Sequence, residues 1–382
     1  MTNENFETVK GFKDFTGEDA VKRASIKKIL VEIFEKYGFE PAEAPTIEFE
    51  EFVRGNNTDD EAVSDIFKLE DKGKRKLALR YELTFQLKRL MKNKKLPYRR
   101  YQIGEVFRDE PVSSNRLRQF TSCDADIVSS NIKDEAEILS MVNEFLDKLK
   151  IKFRIYVNNK KLMNEILDEF EIKEKEKVIR EIDKLDKLSV QEVQQNLKKF
   201  GAEKVIDIFK KEEKYFEKYK SYEEIKELKK YCKIFGVNIT FLPSLARGLS
   251  YYTGTVFEVK SDIKETILGG GSYIFNGVQS VGFGVSIERL EIVSKIKSDK
   301  EKILVISIEQ DKKAISISQK LREQGNKVEI FYNKVSKALD YANSKGIDKV
   351  IFIGRDEVKK GKFKVKDMKS GRESLKKEKE LF

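Results

Sequence analysis

The chain has 382 residues, of which 39% are hydrophobic and 37% charged, and its formal net charge is +11. A chain of this length is expected to fold as roughly two or three domains. The positive balance favours a polyanionic partner such as nucleic acid, although a general enrichment in lysine would give the same charge. The absence of histidine excludes catalysis by Ser-His-Asp or Cys-His groups and zinc sites with histidine ligands.

Several other signals are missing from the sequence. Cys123 and Cys232 are far apart and form no metal or redox motif, which favours a reduced, cytoplasmic protein. The first residues lack the regions of a signal peptide, and no apolar run is long enough to span a membrane, so we expect no membrane segment. No phosphate-binding glycine loop occurs, so any ATP would be bound by arginines, acids and metal-bound phosphate.

The first predicted element is an amphipathic helix at 20–38, followed by an extended segment at 39–48 that contains two prolines. The apolar positions of the helix are Ile26, Ile29, Leu30, Ile33, Phe34 and Tyr37. Gly38 is a suitable residue to end the helix. A join of this kind occurs in many folds and does not by itself indicate a function.

Residues 65–92 are predicted to form two strands around a charged turn, then a basic amphipathic helix that runs through Leu90 and Met91. The second strand leads into Leu-Arg-Tyr-Glu-Leu-Thr at 79–84. Taken alone, Glu82 and Thr84 would be interpreted as caps at the start of that helix.

Residues 99–128 are predicted to form two strands joined by a polar loop at 111–117, and the first strand ends in Phe-Arg-Asp-Glu at 107–110. Because side chains alternate across a strand, one face of the second strand carries polar and aromatic groups. These are Arg118, Phe120, Ser122, Asp124 and Asp126. Charges on a face that should be buried are costly unless they meet a charged ligand, so the hairpin is a candidate site. A solvated surface hairpin is the alternative.

A core helix is predicted at 134–149, and the composition then changes. After a short strand, residues 151–235 are rich in lysine and glutamate, which predicts an inserted helical module. Alternating charges are typical of solvated helix faces, so a scaffold role is favoured over a grip on RNA.

Two glycine-containing segments follow the module. Arg-Gly-Leu-Ser-Tyr-Tyr-Thr-Gly occupies 247–254, and Gly-Gly-Gly-Ser-Tyr occupies 269–273. A glycine-rich strand then leads into a helix near Glu-Arg-Leu at 288–290, where small residues would let a ligand lie close to the backbone.

Residues 301–382 are predicted to be a separate domain. Strands are expected at 303–308, 327–332, 349–353 and 363–365, and helices at 311–324 and 335–345. This β-α-β pattern predicts a parallel or mixed sheet.

Several of these segments resemble motifs of class II aminoacyl-tRNA synthetases. Phe-Arg-Asp-Glu at 107–110 followed by Arg-x-x-x-Phe at 116–120 resembles motif 2, and the segment at 281–290 resembles motif 3. The helix and extended segment at 20–48 resemble motif 1, which builds the dimer interface in that class. The segments at 79–84 and 247–254 are similar to motifs of one member family, the histidyl-tRNA synthetases.

The resemblance to this family covers nearly the whole chain and implies its fold. We expect an α+β catalytic domain built on an antiparallel sheet of the class II synthetase type, a helical insertion and a C-terminal α/β anticodon-binding domain. The catalytic core would comprise 1–150 and 236–298, the insertion 151–235 and the anticodon-binding domain 301–382.

The resemblance also implies roles for particular residues. Arg247 and Arg108 would be catalytic, because they would neutralise the substrate carboxylate and the α-phosphate. The expected ATP-binding residues are Arg108, Glu110, Arg118, Phe120 and Arg289, with Glu110 and Phe120 at adenine and Arg289 at the γ-phosphate. The expected amino-acid-binding residues are Glu82, Leu83, Thr84, Arg108, Ser122, Asp126, Arg247, Tyr251 and Tyr252. Among these, Glu82 and Thr84 would hold the α-amino group, and Asp126 with the two tyrosines would hold the imidazole. No side chain is assigned to a metal ion.

Three places depart from the family's pattern. Ser122 stands where the family usually has Gln, and Ser250 where it has Asp. Ser272 and Ile274 stand where its Gly-Gly-Arg-Tyr-Asp run has Arg and Asp. The first change is expected to weaken a contact to the amino group, and the last to remove a charged pair close to the pocket.

These expectations combine into one hypothesis and two alternatives. The hypothesis is a cytoplasmic homodimer that activates histidine with ATP and Mg²⁺ and transfers it to tRNA(His), with neither DNA nor a membrane as a partner. One alternative is a paralogue of the ATP phosphoribosyltransferase regulatory subunit type, which usually lacks the anticodon-binding domain and the catalytic arginine. The other is an RNA-binding or stress-sensing pseudo-synthetase.

Overall fold

The computed structural model describes residues 6–55, 61–113, 116–186, 188–246, 251–263, 265–296, 301–332 and 334–382. The chain divides into two compact units, Met1–Ile296 and Lys297–Phe382. No helix in the described ranges is long and apolar enough to cross a membrane.

The first unit contains eleven helices and eleven strands within the described ranges. The helices are α1 Gly17–Lys36, α2 Glu50–Arg54, α3 Glu61–Ser64, α4 Leu87–Leu90, α5 Ile132–Lys148, α6 Lys160–Glu169, α7 Lys175–Asp183, α8 Val190–Leu197, α9 Val205–Ile208, α10 Tyr222–Ile234 and α11 Ile287–Val293. The strands are β1 Glu40–Pro41, β2 Ile47–Phe49, β3 Lys68–Glu70, β4 Lys76–Leu79, β5 Tyr98–Phe107, β6 Gln119–Val128, β7 Arg154–Asn159, β8 Ile239–Phe241, β9 Tyr252–Lys260, β10 Leu268–Phe275 and β11 Val278–Ser286. Three short 3₁₀ helices occupy Lys184–Asp186, Lys198–Phe200 and Glu213–Lys218.

Eight of these strands form one large sheet in the order β1-β5-β6-β11-β10-β9-β7-β8. The strands from β5 to β7 in this order are antiparallel neighbours, whereas the edge strands β1 and β8 pair in parallel with β5 and β7. The antiparallel catalytic sheet expected from the sequence is therefore confirmed. A separate three-stranded antiparallel sheet has the order β2-β4-β3.

One face of the large sheet carries the main hydrophobic core. Cys123, Ala125 and Ile127 of β6 are fully buried there together with Phe34 of α1 and Phe145 of α5. A capping box at Asn131 begins α5 at the point where its apolar stripe starts. Because alternate residues of a strand point to opposite faces, the intervening positions of β6 point to the other face, which carries the candidate site.

The basic helix predicted after residue 84 is much shorter than its pattern indicates. α4 spans only Leu87–Leu90. The chain turns at Asn93, which has a φ of +68°, and Pro97 follows. A left-handed residue ends a right-handed helix, and proline disfavours helix in the residue before it.

The helices α6 to α10 lie between β7 and β8 in the chain and surround a second hydrophobic core. Leu228 and Cys232 of α10 pack instead into the main core, so this helix links the two cores. Charged side chains of the module pair on its exposed faces, as Lys226 does with Glu223 at 2.8 Å. The predicted solvated faces are therefore present.

The second unit is a five-stranded mixed sheet in the order β13-β12-β14-β15-β16 with helices on both faces. Its elements are β12 Lys302–Ser307, α12 Asp311–Glu323, β13 Lys327–Phe331, α13 Val335–Ser344, β14 Lys349–Ile353, α14 Arg355–Lys360, β15 Lys362–Asp367, β16 Glu373–Lys377 and the 3₁₀ helix Glu378–Glu380. The predicted mixed β-α-β sheet is confirmed. The sequence did not predict β16, because this edge strand is almost wholly exposed and has no apolar alternation.

Candidate active site

A cavity of about 530 Å³ lies on the polar face of the large sheet. Most of the site residues predicted from the sequence line this cavity. They are Glu82, Thr84, Arg108, Glu110, Phe120, Ser122, Asp126, Tyr251, Tyr252 and Arg289. Segments that are more than 200 residues apart in the sequence, from residue 82 to residue 289, thus contribute to one cavity.

Two predicted residues, Leu83 and Arg118, have other positions, and a third, Arg247, is not described by the structure. Leu83 is fully buried, and its carbonyl oxygen accepts a hydrogen bond from Arg100 at 2.9 Å. Arg118 pairs with the Asp109 carboxylate at 3.1 Å and donates to the carbonyl oxygen of Glu110 at 3.2 Å, and it is not among the lining residues. Arg247 and the neighbouring Ser250 lie outside the described residues.

We call Glu82, Asp124, Asp126, Tyr251, Tyr252 and Tyr273 the carboxylate pocket, and all six line the cavity. Asp126 pairs with Arg100 at 2.8 Å, and both side chains are almost completely buried. The two residues are directly opposite each other on β6 and β5. An ion pair removed from water in this way holds the Asp126 carboxylate in one position.

Glycines of β11 make room for the acidic side chains of β6. Gly282 is paired with Asp126 and Gly284 with Asp124. A Cβ atom at Gly282 would lie 2.0 Å from the Asp126 carboxylate and 2.9 Å from a backbone oxygen. Both glycines also line the cavity, so the close approach of a ligand to this strand stays a prediction.

Burial raises the pKa of Glu82 to about 7 and the pKa of Asp124 to about 6. Repulsion from Asp124 adds to the rise at Glu82, and the positive charge of Arg108 opposes it. At Asp124 the charge of Arg100 is the main opposing effect. A bound cation would therefore favour the ionised form of both carboxylates.

The tyrosines of the carboxylate pocket contact one another. The ring centroids of Tyr251 and Tyr252 are 4.5 Å apart, and Tyr251 meets Tyr273 edge to face at 5.6 Å. The Tyr273 hydroxyl donates a hydrogen bond to Asp126. No sequence motif indicates a role for Tyr273. This residue lies on the same face of β10 as Gly269 and Gly271.

We call Arg108, Glu110, Arg116, Phe120 and Arg289 the arginine wall of the cavity. The guanidinium group of Arg108 lies 5.2 Å from the centre of the Phe120 ring, and its Nε donates to the carbonyl oxygen of Tyr81 at 3.1 Å. Arg289 donates to the carbonyl oxygen of Thr266 at 2.6 Å. Glu110 is buried and forms an ion pair with Arg116, whose side chain is 56% exposed.

The N-terminal segment also reaches the cavity, which the sequence did not indicate. Lys13, Phe15, Asp19 and Lys22 line the cavity next to the arginine wall residues. The carbonyl oxygen of Gly11 accepts hydrogen bonds from residues 118 and 119, at 2.9 and 3.3 Å, and so fixes the segment beside β6. This contact joins residues more than 100 apart, so no local pattern could have revealed it.

Ser272 does not take part in the cavity wall. It is buried on the opposite face of β10 from Tyr273, and its hydroxyl donates to the carbonyl oxygen of Thr255. The expectation that this departure from the family's pattern removes a charged pair close to the pocket is therefore not supported at Ser272.

Within the described part of the chain, no group of three or more acidic or cysteine residues could hold a metal ion.

An antiparallel sheet that carries the β5–β6 hairpin and the start of α11 at one cavity is the catalytic fold of class II aminoacyl-tRNA synthetases. A family model described as histidyl-tRNA synthetase matches residues 11–290, and one described as an anticodon-binding domain matches residues 302–381. The chain belongs to the histidyl-tRNA synthetase family.

Relatives along nearly the whole chain agree with this assignment. The chain is 33% identical to histidine–tRNA ligase 1 of Bacillus cereus, with 96% of each protein covered. It is 32% identical to the histidine–tRNA ligase of Methanocaldococcus jannaschii, with 97% of each covered.

Solved structures show the same fold. A histidyl-tRNA synthetase from Nostoc sp. PCC 7120 matches with a TM-score of 0.86 at 24% identity, over 99% of each chain. A Bacillus halodurans C protein described as an ATP phosphoribosyltransferase regulatory subunit/histidyl-tRNA synthetase matches with a TM-score of 0.75 at 20% identity, over 91% of this chain and 98% of that one.

Proposed function

We propose that the protein is a histidine–tRNA ligase that activates histidine with ATP and transfers the aminoacyl group to tRNA(His). The observation that carries this proposal is the convergence of Glu82, Asp126, Arg108 and Arg289 on one cavity. Carboxylates suit the ammonium and imidazole groups of the amino acid, and guanidinium groups suit a triphosphate.

In the first step, a carboxylate oxygen of histidine attacks the α-phosphorus of ATP. The new bond is the acyl–phosphate bond of the adenylate, and the bond from the α-phosphorus to the bridging oxygen breaks, so pyrophosphate leaves. Arg108 and Arg289 both line the cavity, where Arg108 would stabilise the charge that develops at the α-phosphate and Arg289 would hold the γ-phosphate. Catalysis then depends on position and electrostatics, because no side chain has to donate or accept a proton.

The carboxylate pocket would select the amino acid. Asp126 lines the cavity and is held by Arg100 and by the Tyr273 hydroxyl, and a carboxylate oxygen that already accepts one hydrogen bond can accept another from imidazole. Glu82 and Thr84 would hold the α-ammonium group. Tyr251 and Tyr252 supply the apolar walls that an imidazole ring requires.

The residues of the cavity fit a nucleotide that brings Mg²⁺ with it. Mg²⁺ is usually held by one or two carboxylates together with phosphate oxygens and water. The Glu288 carboxylate lines the cavity and, beside its pair with Arg23, retains acceptor sites that would supply such a ligand. The ion would neutralise phosphate charge when it is bound.

We further propose that the protein acts as a cytoplasmic homodimer and that its second unit binds the tRNA anticodon. An apolar face of the three-stranded sheet β2-β4-β3 supports the proposal of a homodimer. Phe49 and Leu69 flank Leu77 on adjacent strands, and Ile47 lies beside Leu79. Ile47 and Phe49 are 50% and 53% exposed, so a second copy packed on this face would remove apolar area from water.

Pyrophosphate exchange into ATP, measured with each amino acid in turn, tests the proposal. We expect exchange with histidine alone. Arg108→Ala should lower the rate by about 10²- to 10³-fold, the usual effect of removing a group that stabilises transition-state charge. Arg99→Ala is the matched control, because Arg99 pairs with Asp134 and Glu137 and is not among the residues that line the cavity, so its loss should change the rate only by about 3-fold.

Other outcomes would contradict the proposal in different ways. Exchange with another amino acid would remove the specificity but leave the enzyme class. No exchange with any amino acid would indicate a protein that binds without activating. Equal losses in the two arginine variants would show that Arg108 has no particular place in the reaction.

A further inference from the structure

Asp124 is a carboxylate of the pocket for which no sequence motif indicates a role. It lines the cavity and is only 6% exposed. The Ser122 hydroxyl donates a hydrogen bond to its Oδ1 at 2.5 Å. A Cβ atom at Gly284, opposite on β11, would lie 3.1 Å from the same oxygen. The Asp124 side chain is therefore oriented by Ser122 of its own strand and lies close to the backbone of the next strand.

The two acids of β6 differ in their partners. Asp126 forms a 2.8 Å ion pair with Arg100. Among the described residues, no lysine or arginine nitrogen lies within 4.0 Å of the Asp124 carboxylate. A buried carboxylate that faces a cavity without a cationic partner is costly unless a ligand supplies the positive charge.

A second carboxylate faces the same cavity. Glu82 also lines it, accepts a hydrogen bond from the backbone N–H of Phe85 at 3.1 Å, and is close enough to Asp124 for their charges to repel. A cation placed between Glu82 and Asp124 would replace this repulsion by two attractions. An ammonium group has three N–H donors, so it can use Glu82, Asp124 and the Thr84 hydroxyl together.

We propose that Asp124 binds the α-ammonium group of the amino acid together with Glu82, and that Ser122 is a positioning residue that orients Asp124. This inference rests on the proposed function. It also explains how the chain can carry Ser122 where its family usually has Gln. The hydroxyl of the shorter Ser122 side chain donates its hydrogen bond to Asp124, and Asp124 would make the contact to the α-ammonium group.

The test uses three ligands that separate the groups of the amino acid. Histidine has the imidazole, the ammonium and the carboxylate, histidinol lacks the carboxylate, and imidazolepropionic acid lacks the ammonium. Binding of each to the full-length protein is measured by calorimetry. Asp124→Asn should weaken histidine and histidinol by about 10- to 100-fold, the usual range for a hydrogen bond to a charged group. It should not weaken imidazolepropionic acid.

Asp126→Asn is the matched control, because it is the same substitution two residues along the same strand. It should weaken all three ligands, since all three contain the imidazole. Ser122→Ala keeps Asp124 but removes its orienting hydrogen bond. It should raise the KM for histidine by about 3- to 10-fold and leave the KM for ATP unchanged.

The inference is overturned if Asp124→Asn leaves histidinol binding unchanged, or if it weakens imidazolepropionic acid as much as histidinol. Its failure is distinct from failure of the proposed function, which pyrophosphate exchange by the unaltered protein decides.

If exchange required another amino acid, three ligands would again be compared: that amino acid, its amino alcohol and its deamino acid. This comparison would decide the role of Asp124, because every amino acid carries the α-ammonium group. If Asp124→Asn did not fold, the KM ratio for Ser122→Ala would decide it, since an unchanged histidine KM contradicts the inference.

Discussion

The carboxylate pocket and the arginine wall hold their charges in different ways. In the pocket, Arg100 and Asp126 are fixed on paired strands and almost completely removed from water. In the wall, Glu110 is paired with Arg116, which comes from a loop and is largely exposed. A buried pair is rigid because breaking it leaves an uncompensated charge, whereas a pair with one largely exposed partner is screened by water and more readily exchanged.

This difference indicates which part of the cavity is ready before any ligand binds. The pocket has its carboxylates directed by Arg100, Ser122 and Tyr273, so under the proposed function an amino acid would meet a preformed site. The wall would have to exchange pairs between its own side chains for the proposed contacts with phosphate and adenine. We therefore expect selection among amino acids to depend on the pocket, and nucleotide binding to order the wall.

The largest expected effect is a difference in the free energy of unfolding between variants of two adjacent arginines of β5. Arg100→Met leaves Asp126 buried without its cation, so it should lower the free energy of unfolding by about 3–5 kcal/mol. Arg99 pairs with Asp134 and Glu137, and its side chain is 23% exposed. Arg99→Met should therefore cost about 1 kcal/mol or less. Urea denaturation of both variants measures the difference.

Adding Asp126→Asn to Arg100→Met should recover part of the lost stability, because the buried negative charge is then removed as well. Equal losses for the two arginine variants would mean that the pocket is no more rigid than the sheet surface. The charges of the pocket would then not be held more firmly than those of the wall.

A smaller effect is expected from pH. The pKa of Glu82 in the folded protein is about 7 and that of Asp124 about 6, both above the usual values of 4.5 and 3.8. The folded state therefore binds more protons than the unfolded state between these values, and stability falls as the pH rises through that window. Without ligand, the free energy of unfolding should fall by about 1–3 kcal/mol between pH 5 and 8.

Two substitutions sharpen the pH prediction. Glu82→Gln should reduce the fall, and the remainder should persist because burial raises the pKa of Asp124 and of Glu135 as well. Glu144→Gln is the control, because its pair with Lys36 lowers the pKa of that carboxylate. It should leave the fall in place. A stability that rose with pH in the unaltered protein would show that the pocket carboxylates are not held as described.

The sequence predicted part of the pocket and part of the wall, and the reason is geometric. Alternation along residues 118–126 placed Ser122, Asp124 and Asp126 on one face, and the cavity lining agrees. Tyr273 was not recognised because Gly269 and Gly271, which share its strand face, have no side chains to display the alternation. Arg118, which the same alternation included, precedes the first residue of β6 and pairs with Asp109 instead.

Tertiary contacts decided the features that the sequence could not predict. The N-terminal segment reaches the cavity through backbone hydrogen bonds at Gly11, a residue with a φ of +88°. The helix after residue 84 ends after one turn despite its amphipathic pattern. The fold class was accessible because it depends on long stretches of strand and helix, whereas these contacts depend on single residues.

The smallest expected effect concerns Arg23 of α1, which connects three elements beside the arginine wall. Its guanidinium group pairs with Glu288 at 2.7 Å, donates to the Thr121 hydroxyl at 2.8 Å and lies 3.7 Å from the centre of the Phe15 ring. Glu288 in turn accepts a hydrogen bond from the backbone N–H of Thr121 at 3.1 Å. Thr121 follows Phe120 and Glu288 precedes Arg289, so we expect Arg23 to position the residues that we propose to contact the nucleotide.

Arg23→Lys keeps the positive charge but cannot hold these partners together, because an ammonium group lacks the planar fork of guanidinium. The KM for ATP should rise by about 3- to 10-fold while the KM for histidine stays unchanged, since the carboxylate pocket has separate supports. Arg99→Lys, the same substitution at an arginine paired with α5, should change neither KM. Equal increases in both KM values for Arg23→Lys would mean that the wall and the pocket are positioned by one common support, and that the rigidity of the pocket does not arise from its own buried pair.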